Sequence, residues 1–210
     1  MIEEHFITPQ PAASADSKFG QFYFDEVSAG TLTNVSVAGR AGVARMAIAT
    51  AAASVTNWLG SAGVQFTEVS LDPVCLCSIL GDANTDHRII FGFHQIAVNT
   101  TISADTNNSA NEIFFRKRAA NNYYECVTRS ASGAENVVAL TEVLTNAWHD
   151  LKIEVESSTG TVFFSVDGAV VATVTQGVPV SSTRLTMALG HGVTSTVARS
   201  IDIDYLSIKT

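Results

Sequence analysis

The stretch Trp148-His-Asp-Leu-Lys-Ile-Glu-Val-Glu156 alternates apolar and charged residues from Asp150 onward. Successive side chains of a β-strand point to opposite faces, so Leu151, Ile153 and Val155 would share one face of a strand here. The charged residues between them would share the other face. A strand with one apolar and one charged face is typical of an antiparallel sheet that covers a core on one side only. This stretch therefore predicts a half-buried β-strand.

The next segment predicts two further strands joined by a tight turn. Two apolar, β-branched runs, 161–166 and 169–175, are separated by Asp167-Gly168. This dipeptide is a strong hairpin signal because both residues tolerate the positive φ angles of a two-residue turn. Together with the first strand, the hairpin predicts three consecutive antiparallel strands.

Short runs of this kind recur from Lys18 onward, separated by clusters of Gly, Asn, Asp and Ser. That pattern is typical of an all-β sandwich. The segment 45–55 is alanine-rich, but its β-branched residues make a strand followed by a loop at least as good an interpretation as a helix. Thirteen strands are predicted, at 19–24, 43–49, 63–71, 74–80, 89–96, 112–118, 123–129, 136–141, 148–156, 161–166, 169–175, 184–189 and 200–208. One twisted sheet cannot hold so many strands, so we predict two packed antiparallel sheets with Leu151, Ile153, Val155, Phe164 and Val166 in the core.

Composition and charge exclude several classes of protein. The chain has 210 residues, of which 46% are hydrophobic and 15% charged, which indicates one folded domain rather than a disordered chain. The net charge is −8, and the longest basic run is 116–118, so we expect no nucleic-acid partner. No apolar run reaches the ~20 residues of a transmembrane helix, so we expect no membrane insertion. Residues 1–6 lack the basic start of a signal peptide, which predicts synthesis in a cytoplasm.

Cysteine and histidine positions predict neither disulfides nor metal sites. Cys75 and Cys77 would lie on one face of a strand, far in sequence from Cys126, so we expect buried free thiols. The histidines form no cluster at zinc-ligand spacing. The loop 82–87 starts like a calcium loop, but His87 stands where glycine is required and Phe93 where a glutamate is required. We therefore expect no metal and no cofactor.

A series of motifs carries a family resemblance. It consists of Trp148-His149-x-Leu151-x-Ile153-x-Val155, Val162-x-Phe164-x-Val166-Asp167-Gly168, Val178-Pro179, Gly190 and Ile201-x-Ile203-Asp204-Tyr205, preceded by Glu112-Ile-Phe-Phe-Arg116 and Tyr123-Tyr-Glu-Cys126. The series resembles concanavalin-A-like lectin/glucanase jelly rolls, above all the versions found in bacteriophage structural proteins and other adhesive modules. The resemblance covers residues 18–209 and implies a two-sheet jelly roll over 18–210. Residues 1–17, with Pro9 and Pro11, are predicted to form a separate extended arm.

Catalytic signals are missing. The glucanases of this superfamily carry Glu-x-Asp-x-Glu or Glu-x-Asp-x-x-Glu on one strand, and this sequence has no such segment. Glu154 with Glu156, and Asp202 with Asp204, are spaced ~6 to 7 Å apart on a strand, within the range of glycosidase acid pairs. Acids that alternate with aliphatic residues are nevertheless typical of a solvated sheet face. No nucleophile motif is present either. We therefore expect no catalytic residue and no enzymatic activity.

Two non-enzymatic functions are compatible with the sequence. The first is a structural or adhesive virion protein of a bacteriophage, a head decoration, fibre-like or tail-associated protein made in the host cytoplasm. Its arm residues Ile2, Phe6 and Ile7 would dock on other virion proteins or on a neighbouring copy, giving a homo-oligomer that we expect to be a trimer.

The second function is a carbohydrate-binding module for host surface glycans. Exposed aromatic side chains in a jelly-roll groove can stack on sugar rings. The candidates for such contacts are Trp58, Tyr123, Tyr124 and His191. A glycoside hydrolase is a third alternative, which would need two carboxylates in one cleft.

Overall fold

A computed structural model describes residues 2–5, 17–19, 22–26, 30–37, 39–48, 55–60, 67–81, 83, 85–95, 111–131, 133–194 and 196–209. In residues 2–5, 17–19, 22–26, 41 and 55–60 only the backbone is described. These parts of the chain form seventeen strands, numbered here along the chain, and one short 3-10 turn at Val69–Leu71. No helix within them is long and apolar enough to cross a membrane.

The first sheet contains eight strands. They are β1 (Ile2–His5), β4 (Gly30–Val37), β5 (Arg40–Ile48), β8 (Val74–Leu80), β13 (His149–Glu156), β14 (Thr161–Val166), β15 (Ala169–Val174) and β17 (Arg199–Lys209). Their order is β15-β14-β13-β8-β17-β5-β4, and β1 pairs with β17.

The second sheet contains nine strands. They are β2 (Ser17–Phe19), β3 (Phe22–Glu26), β6 (Val55–Gly60), β7 (Thr67–Glu68), β9 (His87–His94), β10 (Glu112–Lys117), β11 (Glu125–Arg129), β12 (Asn136–Ala139) and β16 (Arg184–Val193). Their order is β12-β11-β10-β9-β16-β6-β3-β2, and β7 pairs with β16. The predicted all-β, two-sheet antiparallel jelly-roll sandwich is confirmed.

The core lies between the two sheets, as the alternating pattern predicted. Leu151, Ile153 and Val155 of β13 and Phe164 of β14 are buried, and the partly exposed Val166 packs against them. Each fully buried side chain of this size contributes ~1.5 to 3 kcal/mol of hydrophobic stabilisation. The alternation in β13 therefore fixes which face of the first sheet covers the core.

One glycine in the second sheet is required by a close approach of neighbouring strands. Gly92 of β9 has a φ of +152°, and a Cβ atom there would lie 2.3 Å from the carbonyl oxygen of Ile113. The same atom would lie 2.8 Å from Cδ1 of Ile153 in the opposite sheet. Only glycine allows β9, β10 and β13 to pack this closely at that point.

Five strands, β2, β3, β4, β6 and β7, depart from the sequence prediction. β4 was not predicted because its Thr, Asn and Ser residues give no apolar alternation, and β6 lies where a loop was expected. The single strand predicted at 19–24 is a hairpin of β2 and β3. In the segment 63–71, of which the structure describes 67–71, the strand is confined to Thr67–Glu68, and a 3-10 turn follows.

The predicted separate arm is wrong for residues 2–5, because they form β1 in the first sheet of their own chain. Ile2 pairs with Ile208, and His5 pairs with Tyr205. β5 pairs with β17 only up to Ile203, so the remaining edge of β17 on that side is open for another strand. β1 pairs along this open edge of β17, and for this reason residues 2–5 belong to the sheet and not to a separate arm. Phe6 and Ile7 lie outside the described residues.

Candidate ligand-binding site

A cavity of about 140 Å³ lies at the end of the sandwich where β13 begins. One wall is the segment 140–148 that connects β12 to β13, and another is the turn between β14 and β15. The residues that matter for its chemistry are Tyr124, Glu142, Leu144, Trp148, His149 and Asp167.

The connecting segment is held in place by backbone hydrogen bonds. The amide of Leu140 donates to the carbonyl of Tyr124 at 2.9 Å, and the amide of Leu144 donates to the carbonyl of Asn122 at 2.7 Å. The Leu144 side chain is buried in the core. Because two backbone bonds and one buried side chain fix the segment, the cavity is preformed, as ligand sites usually are.

The Asp167-Gly168 turn places a carboxylate at the cavity. Both residues have positive φ angles, +50° and +81°, as the predicted two-residue turn requires. The amide of Asp150 donates to Oδ1 of Asp167 at 2.7 Å, and the amide of Asp167 donates to the carbonyl of Asp150 at 2.9 Å. With Oδ1 taken by the backbone, Oδ2 is the oxygen that a ligand can use.

Two aromatic side chains line the cavity. Tyr124 is 1% exposed and meets the ring of Phe115 edge to face, with centroids 5.7 Å apart. Trp148 is partly exposed, and the guanidinium of Arg40 lies 4.2 Å from its ring centroid. Contacts of this kind restrict the ring orientation, so Trp148 presents a fixed aromatic surface.

The lining combines apolar aromatic surface with carboxylate acceptors. Glu142 is exposed, and Asp167 has one oxygen to offer, so both can accept hydrogen bonds from hydroxyl groups. The partly exposed ring of Trp148 suits a ligand with an apolar face, whereas the buried Tyr124 only forms part of the inner wall. The cavity is smaller than the ~300 to 1,000 Å³ that encloses a drug-sized ligand, so it fits one small polyhydroxy unit.

The four residues predicted as glycan contacts differ in where the structure places them. Tyr124 lines the cavity, whereas the neighbouring Tyr123, which is partly exposed, does not. His191 is 0% exposed on β16, so its prediction as a sugar contact is wrong, because a fully buried ring cannot stack on a ligand from solvent. Trp58 lies on β6, and its side chain is outside the described atoms. Trp148 was not among the predicted glycan contacts, since the segment before it has no periodicity to show that it folds over this residue.

His191 belongs to a buried polar cluster at the ends of β9, β10 and β16. Its ring centroid is 4.9 Å from that of His87, and Nζ of Lys117 donates to the carbonyl of His87 at 3.0 Å. Burial lowers the pKa of His191 well below its ordinary value, the charges of His87 and Lys117 lower it further, and Asp86 acts in the opposite direction. Asp86 is itself paired with Arg199 at 2.8 Å.

The face of the second sheet that points away from the core carries buried ion pairs. Nε of Arg116 donates to Glu125 at 2.7 Å, and its NH1 donates to Glu135 at 2.8 Å. His94 and Glu112 sit opposite each other on β9 and β10, with Nδ1 and Oε1 3.6 Å apart. Arg116, His94 and Glu112 are fully buried, so this face offers no open binding surface at these residues.

The carboxylate pairs at strand spacing do not form a shared site. Asp202 is 6% exposed and accepts two hydrogen bonds from Arg45, at 2.6 and 2.7 Å, so its prediction as part of a solvated face is wrong. The reason is that β17 is an inner strand and that Arg45 lies directly opposite Asp202 on β5. Glu154 pairs with Lys152 at 2.6 Å on a partly exposed face, and Glu156 is exposed.

The cysteine prediction is confirmed, since Cys75, Cys77 and Cys126 are free and buried. Burial raises the pKa of Cys75 well above its ordinary value and raises the pKa of Cys126 to about 12. Among the residues that the structure describes, no three His, Cys, Asp or Glu side chains are grouped so that they could hold a metal ion.

Comparisons with known proteins establish the fold. No family model matches the chain, and no curated protein matches its sequence. Among solved structures, the β-glucanase of Bacillus licheniformis is similar with a TM-score of 0.61 and 14% identity, over 100% of this chain and 97% of that one. The carbohydrate recognition domain of Emp47p is similar with a TM-score of 0.60 and 12% identity, over 97% and 92%.

A third similar structure is a protein of unknown function from Shewanella oneidensis MR-1. Its TM-score is 0.65 at 14% identity, over 98% of this chain and 84% of that one. The chain therefore has the jelly-roll sandwich fold that concanavalin-A-like lectins and glucanases share. At these identities the similarity concerns the fold alone.

Proposed function

We propose that this chain is a carbohydrate-binding module whose site is the cavity beside Trp148. The observation that carries the proposal is the meeting of Trp148, Tyr124, Glu142 and Asp167 in one preformed cavity. Sugars combine an apolar face of C–H groups with hydroxyl donors, and this lining offers a partner for each. Two of the similar structures are a β-glucanase and a carbohydrate recognition domain, which agrees with a sugar as ligand.

Each side chain has a defined part in the proposed binding. The indole of Trp148 stacks on the sugar, and Arg40 keeps the ring in position. Glu142 and Oδ2 of Asp167 accept hydrogen bonds from sugar hydroxyls. Hydrogen bonds to charged acceptors are stronger than neutral ones, so the two carboxylates orient the sugar on the aromatic surface.

The proposal includes binding without cleavage. A glycosidase places two carboxyl groups on either side of the bond that it breaks. The oxygens of Asp202 are taken by Arg45, and Asp204 is paired with Arg40. Asp202 and Asp204 are therefore committed to arginine partners. The two carboxylates of the cavity itself, Glu142 and Asp167, act in this proposal as hydrogen-bond acceptors for sugar hydroxyls and not as a catalytic pair.

The bacteriophage virion role stays a prediction, together with its virion localisation, its trimer and its virion partners. The similar solved structures lend it no support. The pairing of β1 with β17 removes its main local argument, since residues 2–5 belong to the sheet of their own chain.

The binding proposal is tested by titrating neutral glycans, such as laminarin and mixed-linkage β-glucan, into the protein in a calorimeter. Replacing Trp148 by Ala should weaken binding about tenfold, the loss expected for an aromatic contact of ~1.4 kcal/mol. Glu142→Gln should weaken it as well. Glu156→Gln is the matched control, because Glu156 is an exposed acid outside the cavity. Unchanged affinity in Trp148→Ala, with an intact fold by circular dichroism, would contradict the proposed site.

A further inference from the structure

A second cavity of about 240 Å³ adjoins the first one. It is lined by Val138, Ala139, Leu140, Thr141, Glu142 and Val171. Leu140 and Glu142 line both cavities, so the two are neighbours along the segment that follows β12. The second cavity lies where the edge strands β12 and β15 of the two sheets face each other.

The two cavities differ in how they are closed. On its inner side the first cavity ends on Tyr124, Leu144 and His149, all buried, so a polymer cannot continue inward, and the exposed lining residues form its entrance. The second is lined by the exposed residues Ala139, Thr141 and Glu142, so a chain can leave there toward solvent. Neither cavity alone reaches the ~300 Å³ at which ligand pockets usually begin, whereas the two together do.

Among the residues that the structure describes, the Asp, Glu, Lys and Arg side chains that line the two cavities are all acidic. Glu142 and Asp167 are acidic, and no lysine or arginine is among the described residues that line either cavity. The nearby Arg40 is engaged with Asp204, Ser78 and the ring of Trp148. A carboxylate or sulfate on a ligand would meet like charges without a compensating cation. Even in water, two like charges 4 Å apart weaken binding about fivefold.

We infer that the two cavities together bind the end of a neutral glycan chain and reject anionic glycans. The terminal sugar occupies the cavity at Trp148, the next sugar occupies the cavity at Val171, and Glu142 contacts both. This inference rests on the proposed function. It adds that the site binds two sugar units, that the chain end lies in the first cavity, and that the glycan is uncharged.

The experiment compares ligands by length and charge in calorimetric titrations of the full chain. The neutral probes are glucose, a β-glucan disaccharide and the corresponding tetrasaccharide, and the anionic probes are oligogalacturonates of the same lengths. The disaccharide should bind about tenfold more tightly than glucose, because a second buried unit adds contacts of ~1.4 kcal/mol. The tetrasaccharide should add little, and the oligogalacturonates should bind at least about fivefold more weakly than their neutral counterparts.

Two variants test whether the higher affinity for the disaccharide than for glucose comes from the second cavity. Ala139→Glu places a bulky charge at the second cavity and should abolish the difference between disaccharide and glucose. Val137→Glu is the matched control, since Val137 is exposed two residues earlier on β12 and does not line the cavity. Both sites are at the surface, so both variants should fold.

Each outcome has a distinct meaning. Equal affinity for glucose and the disaccharide, or equal affinity for neutral and anionic probes, would overturn the inference while the proposed function stands. Loss of the gain in Val137→Glu as well would also overturn it. Absence of binding by every glycan, with the wild-type protein folded, would overturn the proposed function itself.

Discussion

The guanidinium group of Arg40 lies over the indole ring of Trp148, 4.2 Å from the ring centroid, although β17 and β8 lie between their strands in the sheet. The same guanidinium donates hydrogen bonds to the two intervening strands, to Asp204 of β17 and to Ser78 of β8. Asp204 can receive it because a register shift interrupts β17 between Ile203 and Tyr205. One arginine thus connects four strands and fixes the aromatic wall of the candidate site.

Replacing Arg40 by Ala should weaken glycan binding about twofold to fivefold, because a cation over an exposed aromatic ring contributes ~0.5 to 1 kcal/mol. Trp148 would lose the contact that holds its ring. Calorimetric titration with the neutral disaccharide measures the effect. Arg184→Ala is the matched control, since Arg184 is exposed, pairs with Glu68 and does not line the cavity. An Arg40→Ala protein that binds as well as wild type would show that Trp148 does not depend on this contact.

The thiols should not react in the native protein. The thiolate is the reactive form, and burial raises the pKa of Cys75 well above its ordinary value and that of Cys126 to about 12. At pH 8 a disulfide reagent such as Ellman's should label none of the three cysteines until denaturant is added, and then all of them. A cysteine introduced at the exposed position Ser158 is the positive control. Rapid native labelling of one intrinsic thiol would show that it is accessible.

The strands β13, β14 and β15 of the first sheet could be predicted from the sequence, because the signals that indicate them lie within a few neighbouring residues. β13 alternates strictly, and the Asp167-Gly168 turn has its own conformational signature. β16 was predicted only as far as residue 189, because its residues from Leu185 to Val193 are buried on both faces and show no alternation. His191 was therefore misjudged as a surface residue.

The candidate site itself depends on contacts that no local pattern encodes. The segment 140–148 is irregular, and it covers Trp148 only because its amides reach Tyr124 and Asn122. Arg40 is distant in sequence from Trp148 and meets it through the strand order of the sheet. Trp148 could be recognised from the sequence as part of the motif that indicates the fold, but its place in a cavity could not.

No cleavage of glycans is expected. Incubation of the protein with laminarin, mixed-linkage β-glucan or bacterial polysaccharides should release no reducing ends above the level of a protein-free control. Asp202 and Asp204 are held by Arg45 and Arg40 respectively, which leaves Glu142 and Asp167 as the carboxylates at the proposed site, where we expect them to bind hydroxyl groups and not to transfer protons. Hydrolysis that disappears in Asp202→Asn, or in Glu142→Gln, would show that the protein is an enzyme and identify the acid responsible.

Deletion of residues 1–5 should destabilise the sandwich. β1 pairs with β17 at four positions from Ile2 to His5, and its loss would leave the edge of β17 from Tyr205 to Ile208 unpaired. With net contributions of ~0.5 to 1.5 kcal/mol for each hydrogen bond, the free energy of unfolding in urea should fall by ~2 kcal/mol. Glu3→Gln, which keeps the backbone bonds, serves as the control. If the deletion leaves stability unchanged but abolishes self-association in light scattering, the arm binds a neighbouring copy after all.

Acid should destabilise the fold through His191. Its pKa in the folded protein lies well below the ordinary value of 6.5, chiefly because the ring is buried, and also because His87 and Lys117 are near. The unfolded chain therefore binds a proton on His191 near pH 6.5 that the folded chain does not bind, so the stabilisation is complete above this pH and is lost as the pH falls. Between pH 7.5 and 5.5 the free energy of unfolding should drop by ~1.4 kcal/mol through this residue alone.

Urea unfolding of wild type and His191→Asn at the two pH values isolates that contribution, because the remaining histidines titrate in both proteins. The variant should lose less stability on acidification than wild type. A separate readout does not depend on the variant: the ring signals of His191 in NMR spectra of the wild-type protein should stay in the neutral form at pH 5.5. Protonation of the ring above pH 6 with the fold intact would contradict the prediction, since it would require that the folded protein accommodates the charge within the buried cluster of His87, Lys117 and Asp86.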